Sequence, residues 1–188
     1  MGSFAADYIR GPALLFLTLP AGRDRGSIEG VEIRRIEPVE WERLREIRLK
    51  ALADAPNAFG TTYEDAADQS DAYWHGMLEW PAWVAEEDDR WLGLVRVVPE
   101  EGEAQLVSMW VEPEARNRGI GQVLIEKVVQ WARAHEMPAV TLWVTEGNPA
   151  AEALYRKAGF VHTGDRQPLP SNQAIQEHAM RLELGSTR

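Results

Sequence analysis

Cysteine is absent from the 188 residues. That excludes disulfides, thiolate nucleophiles, cysteine-ligated zinc and iron–sulfur clusters. Long apolar runs are absent too, since nothing approaches the roughly 18 consecutive apolar residues of a membrane span. No membrane partner is therefore expected. Basic residues are scarce, 20 against 30 acidic ones, giving a net charge of −10. A chain that acidic repels nucleic acid and anionic lipid unless a local basic patch overrides the average, so no nucleic-acid partner is expected either. His75, His135, His162 and His178 lack metal-ligand spacing such as HExxH, and no Gly-x-Ser-x-Gly elbow is present; no metal is expected. What remains is ordinary for a globular protein: 45% hydrophobic and 27% charged residues. The length suits one domain with an appendage and needs no metal or disulfide staple. A cytoplasmic location is the simplest expectation.

The N-terminus departs from that picture. Pro12 to Leu19 (PALLFLTL) follows Arg10 in a pattern loosely like a short signal peptide. Asp7 intrudes upstream and no small-x-small cleavage site follows, so an extra packed strand or an overlong start competes with secretion. The Gly/Arg-rich run from Gly22 to Gly30 reads as a linker. Residues 1–30 are therefore expected to be an extension, and 31–188 the domain proper.

Along the domain, Val31 to Glu37 alternates like a strand, and Pro38 opens a helix where its missing N–H costs nothing. Trp41, Leu44, Ile47, Ala51 and Leu52 recur at helical spacing. Pro56 to Thr62 is a loop, and Ser70 caps a second short helix to about Glu79. Three strands, Ala82 to Glu86, Trp91 to Val98 and Ala104 to Val111, are separated by acidic turns and form an antiparallel meander. Ile120, Val123, Leu124, Val128 and Trp131 then mark one face of a long helix ending before Pro138. Ala139 to Thr145 reads as a buried parallel strand. Asn148 caps a helix that starts at Pro149, buries Ala151, Leu154, Tyr155 and Ala158, and stops at Gly159. Phe160 to Thr163 and Glu177 to Leu184 supply the last strands. Meander followed by strand–helix–strand predicts an α/β fold with a mixed sheet.

The chemistry concentrates where the strand ending at Val111 runs through Glu112–Pro113–Glu114–Ala115 into Arg116–Asn117–Arg118–Gly119–Ile120–Gly121 and a helix. Backbone N–H groups at a helix start form an anion site. Gly119 and Gly121 let a bulky phosphate approach the main chain, and Arg116 and Arg118 add positive charge. A pyrophosphate is the natural occupant. The Walker A pattern fails for want of Gly-Lys-Ser/Thr. The dinucleotide fingerprint fails because Leu124 stands at its third small position and no ribose-binding acid follows.

Arg-x-x-Gly-x-Gly entering a helix resembles the coenzyme A loop of the GNAT superfamily of N-acetyltransferases, bacterial members especially. The resemblance spans roughly Val31 to Leu184 and includes a second signature, Asn148–Pro149–Ala150–Ala151 through Ala153–Leu154–Tyr155 to Lys157–Ala158–Gly159–Phe160. The Arg34–Arg35–Ile36 strand and the Pro56–Asn57–Ala58–Phe59–Gly60 loop look similar as well. It implies a mixed sheet of about six to seven strands flanked by about four helices, with acetyl-CoA as cosubstrate. By the same resemblance, backbone near Met109, Trp110 and Val111 pairs with the pantetheine arm, and the loop from Arg116 and Asn117 through Arg118, Gly119, Ile120 and Gly121 to Gln122 holds the pyrophosphate. Asn148 either caps its helix alone or also contacts the cofactor.

Tyr155 matches the family's frequent general acid, which protonates the departing thiolate; the competing reading is a core residue. The Val111 N–H is the expected donor to the oxyanion. The base is open. Gln105 stands where many members have a glutamate or histidine, while Glu103, two residues away on the same face, is either that base or a solvated turn residue. Glu64, Asp65, Asp68 and Asp71, with no basic residue between Gly60 and Glu79, suggest a cationic acceptor, with Trp74 as pocket wall. The expected activity is acetyl transfer from acetyl-CoA to a primary amine of a small molecule or peptide, by direct attack in a ternary complex, with a homodimer as a candidate assembly. The rival is a catalytically weak acyl-CoA sensor or scaffold.

Overall fold

Apolar residues alternate along the strands and recur every third or fourth position along the helices, and both patterns resolve into layers in the computed structural model, which describes residues 26–28 and 30–185. Pro12 to Leu19 lies outside these residues, as does the rest of 1–25. Eight strands form one sheet: β1 (Gly26–Ile28), β2 (Val31–Arg35), β3 (Ala82–Glu87), β4 (Arg90–Glu100), β5 (Glu103–Val111), β6 (Ala139–Thr145), β7 (Val161–Leu169) and β8 (Asn172–Glu183). Their order is β1-β2-β3-β4-β5-β6-β8-β7. Every pairing is antiparallel except β5 with β6. The expected mixed α/β sheet is there, with one strand more than anticipated. The addition, β1, falls within the run read as linker and pairs with β2.

Two hydrophobic cores lie on opposite faces of the sheet. In β3, Trp83 and Ala85 enter one core, and Ala82 and Val84 the other, as the two-residue strand period requires. The first core is closed by α4 (Ile120–Ala134), whose Ile120, Leu124 and Val128 are fully buried, and by α5 (Pro149–Lys157). The second is closed by α1 (Trp41–Asp54), through Leu44, Ile47, Ala51 and Leu52, and by α3 (Asp71–Gly76). Between 54 and 71 an additional short helix, α2 (Tyr63–Ala67), is capped by Thr62, whose hydroxyl accepts the Asp65 N–H at 3.1 Å. Ser70 occupies the N-cap position of α3 without a side-chain capping bond, and that helix stops at Gly76.

The acidic turns form tight hairpins. Asp88 and Asp89 have φ of 48° and 61°, and Glu101 and Gly102 have 51° and 84°. Both central residues are left-handed, as a type I′ turn requires, and aspartate tolerates that conformation better than most residues. The final two strands are longer than expected. β7 lies at the sheet edge, where Pro168 removes no central ladder bond. The hairpin tip between β7 and β8 reaches back over the sheet. Ser171 Oγ donates to the Phe59 carbonyl at 2.6 Å, and a Cβ on Gly60 would lie 3.4 Å from Pro170. The loop after α1 and this tip thus meet.

Candidate active site

The parallel pair at mid-sheet is barely a pair. β5 and β6 are in register only at Ala104↔Val140 and Gln105↔Thr141. Beyond those positions the strands diverge, leaving backbone N–H and C=O groups of β5 facing a seam. A bulge sharpens the divergence: the β4–β5 register jumps between Leu94 and Arg96, and Ser108 takes φ 57°. Bulges bend a strand and re-aim its side chains. Here the bulge lies at the point where the seam opens.

The loop from β5 to α4 closes one end of the seam. Asn117 (φ 63°) and the N-cap Gly119 (φ 83°) turn the chain into the helix. Two glycines then set the packing. A Cβ on Gly93 would sit 3.1 Å from the Trp110 carbonyl oxygen and 3.2 Å from Leu124 Cδ1, so α4 lies tight against β4 and β5. A Cβ on Gly121 would sit 2.9 Å from Leu154 Cδ2 and 3.3 Å from Met109 Cε. Glycine here lets the first turn of α4, the bulged strand and α5 converge. The Gln122 N–H donates to the Gly119 carbonyl at 3.1 Å, while the N–H groups of Ile120 and Gly121 precede the helix ladder and carry the positive end of its dipole, so an anion fits at this point.

Beneath the seam lies a cavity of about 260 Å³, walled by α1, α3, β4, β5, β6, α5 and the β7–β8 hairpin. Tyr155 of α5 lines it, is only 6% exposed, and packs edge-on against Phe160 at 5.9 Å. Its hydroxyl has no hydrogen-bond partner among the described residues, and burial pushes its pKa well above the ordinary phenol value.

A strand split beside a glycine-entered helix, over a cavity holding a buried tyrosine, is reflected in the relationships of the chain. The sequence pattern of the Acetyltransferase (GNAT) family matches residues 41–160. The chain belongs to the GNAT acetyltransferase family. It is 34% identical over 141 residues to the mycothiol acetyltransferase of Thermomonospora curvata, a match covering 70% of this chain and 44% of that protein. It is 30% identical over 135 residues to the peptidyl-lysine N-acetyltransferase YjaB of Escherichia coli, covering 71% and 84%. The chain spans less than half the length of the first curated relatives it matches. Among solved structures, the ribosomal-protein-alanine N-acetyltransferase of Brucella melitensis superposes with a TM-score of 0.66 at 24% identity, covering 81% of this chain and 99% of that one. YncA of Salmonella typhimurium, solved with its cofactor acetyl-CoA, gives 0.68 at 19% identity, covering 84% and 96%. These structures share the fold.

Against the expectations for this GNAT chain, the structure gathers Met109 and Tyr155 at the cavity and sets Trp110, Val111, Gly119, Ile120, Gly121 and Gln122 around the seam and the helix start. The two loop arginines are occupied elsewhere. Arg116 bonds Asp54 Oδ2 at 2.5 Å and the Val111 carbonyl at 2.9 Å. Arg118 forks onto Glu87 at 2.6 and 3.1 Å. Both tie the loop to the sheet and to α1, and their charge is largely neutralised. The Trp110 indole and then Arg116 hold the Asp54 carboxyl below its ordinary range. Asn148 caps α5, accepting the Ala151 N–H at 3.2 Å.

Four expected residues are not brought to the cavity. Glu103 pairs with Arg181 at 2.6 Å instead of lining it. Trp74 is 0% exposed in the second core. Glu64 and Asp68 lie on an exposed face around α2, outside the lining.

Four charged residues missing from the expected set do line it: Arg48, Arg96, Glu100 and Glu177. Burial raises the Glu177 pKa, and Gln167 Nε2 donates to its carboxylate at 2.7 Å. Burial, then the neighbouring charge of Glu101, raises that of Glu100, which accepts from Gln105. Burial pushes both arginines down to about 10, with their mutual repulsion adding for Arg48; they remain cations at neutral pH. A signal for these residues exists in the sequence. Arg48 interrupts the apolar face of α1, four residues from both Leu44 and Leu52. Arg96, Val98 and Glu100 share one face of β4 at the strand period. Among the described residues, no group of three or more His, Asp or Glu side chains is placed to hold a metal.

Proposed function

We propose that this chain is an acetyl-CoA-dependent N-acetyltransferase, acting in the cytoplasm on a primary amine by direct attack within a ternary complex. The observation that carries the proposal is the β5–β6 seam, which joins an anion-binding helix start to a cavity lined by Tyr155. The space a Cβ on Gly121 would fill is taken by Leu154, so glycine here lets the start of α4 close onto α5 beside the seam. Bound there, acetyl-CoA supplies an activated acetyl thioester.

The chain's own groups do the rest. N–H groups from Asn117 to Gly121 hold the diphosphate, the Gln122 N–H being spent on Gly119, and the open edge of Met109, Trp110 and Val111 pairs with an extended amide-bearing arm. Arg116 and Arg118 fix the loop in shape, and Asn148 holds the start of α5 so that Tyr155 faces the cavity. Tyr155 donates its proton to the leaving sulfur, and burial, which disfavours the phenolate, keeps that proton in place beforehand. Glu177 takes a proton from the acceptor's ammonium, and the amine lone pair so freed attacks the acetyl carbon. A carboxylate with a raised pKa is the better base near neutrality. The Val111 N–H steadies negative charge on the carbonyl oxygen. The acceptor's positive charge meets Glu100 and Glu177 within the cavity, rather than Glu64 and Asp68 outside it. These buried groups favour turnover over a sensor role.

The test is release of free CoA from acetyl-CoA across a panel of amines and peptides, beside thermal stabilisation by acetyl-CoA. Stabilisation without release from any amine would overturn the enzymatic reading. A homodimer is the assembly we propose to test. Light scattering that gives the mass of one chain at micromolar concentration would exclude it.

A further inference from the structure

Arg48 is 8% exposed, lines the cavity, and makes no hydrogen bond or ion pair with any described residue. Its Nη1 is fully buried and unsatisfied. The guanidinium lies over the Phe59 ring at 4.3 Å, a contact that orients it without neutralising it. Arg96 lines the same cavity. Its Nε and Nη2 both donate to the Met77 carbonyl, at 3.0 and 2.7 Å, and it too has no carboxylate partner. A buried arginine beside a second, partly buried one is costly unless an anion completes the pair.

Their placement says where that anion goes. Arg48 and Arg96 come from the α1 and β4 wall, whereas Tyr155 and Glu177 come from the α5 and β8 wall. The α1 and β4 wall offers guanidinium donors to a planar anion, with Glu100 four residues along β4 from Arg96 to meet positive charge nearby. The α5 and β8 wall offers a base and an acid to an amine. A cavity of about 260 Å³ falls below the usual ligand-pocket range of roughly 300–1,000 Å³, so a molecule spanning it is small.

We propose that the acceptor is a small amino-carboxylate, an amino acid or close analogue, whose carboxylate is bound by Arg48 and Arg96 while its amine faces Glu177 and Tyr155. This rests on the N-acetyltransferase reading and deepens it. The exposed acidic face at Glu64 and Asp68 then has no part in acceptor choice.

The experiment uses the twenty common amino acids, each beside the amine left when its α-carboxylate is removed, with CoA release as readout and acetyl-CoA thermal stabilisation as control. At least one amino acid should be turned over roughly 10- to 100-fold more efficiently than its decarboxylated partner, the range for a charge-assisted hydrogen-bonded group. Arg96→Gln and Arg48→Met should each erase that preference while leaving acetyl-CoA stabilisation intact. Equal turnover within every pair, or preference for the amines, overturns the inference while the acetyltransferase reading stands. So does turnover confined to peptide amines. Preference that survives in both variants overturns the assignment to these two arginines. Absence of turnover with every amine, despite bound acetyl-CoA, overturns both readings.

Discussion

Arg48 and Tyr155 occupy positions that a helical pattern assigns to the core, and each brings a polar group into an apolar wall. Tyr155 can be replaced by phenylalanine with its packing on Phe160 retained. Tyr155→Phe should lower kcat by about 10²–10⁴, the usual range for a general acid, with acetyl-CoA stabilisation unchanged; an unaltered kcat would reduce the tyrosine to packing. Arg48→Met removes a buried cation that lacks a partner and keeps most of its volume. In the absence of acceptor it should raise stability by about 1 kcal/mol or more, or roughly 2–4 °C in Tm for a chain this long. A clear fall in Tm would mean that the arginine props the fold. Glu177→Gln should lower kcat and remove the rising acid limb of its pH profile, because the base acts only when deprotonated. Tyr155 was legible in the sequence because its helix carries a two-part signature. Arg48 was not: helical periodicity counts the apolar positions, and a charged residue among them registers only as a gap in the stripe.

At the level of single elements, the start of α4 rests on glycines at 119 and 121 for different reasons. Gly119 supplies a left-handed turn at φ 83°, and Gly121 supplies clearance against Leu154. Gly121→Ala needs only the tip of Leu154 to shift, and should weaken acetyl-CoA stabilisation modestly. Gly121→Glu drives a carboxylate against Leu154 and Met109, displaces the helix start, and should abolish that stabilisation. Equal thermal shifts in the parent and both variants would remove the loop from the cofactor site. The long, periodic elements were readable from sequence: the stripe of α4, the apolar run of β6 and the capping pair Asn148–Pro149. Residues 165–176 were not, because DRQPLPSNQAIQ is polar and carries two prolines. β7 is an edge strand, mostly exposed, so burial imposed no alternation on it. The acceptor wall contributed by this hairpin was hidden for the same reason. The pairing of both loop arginines with Asp54 and Glu87 was equally invisible, since those partners lie 62 and 31 residues away.

Across the whole molecule, ionisable groups divide into two populations with opposite effects on stability. Hydrogen bonding to Arg34 depresses the Glu40 pKa, and the Trp110 indole followed by Arg116 depresses that of Asp54. Their contribution is fully present above the unfolded carboxylate values of about 4 and is lost as pH falls through the lower folded values. Glu100 and Glu177 are raised by burial. Their contribution is present below about 4 and is lost as pH rises through their folded values. Glu177→Gln should therefore stabilise the protein more at pH 8 than at pH 4, by differential scanning calorimetry; equal shifts would show that the carboxylate is not strained when ionised. Finally, the seam between β5 and β6 amounts to an unpaired edge in the interior of a sheet, the kind of template on which other chains assemble. A cofactor lying along it would act as a missing strand and, by mass action, favour the folded state. Aggregation followed by light scattering at 45 °C should slow with added CoA and not with added adenosine; identical time courses would refute this. On that footing, a ligand that fills the seam would set how long each copy of the protein survives unaggregated.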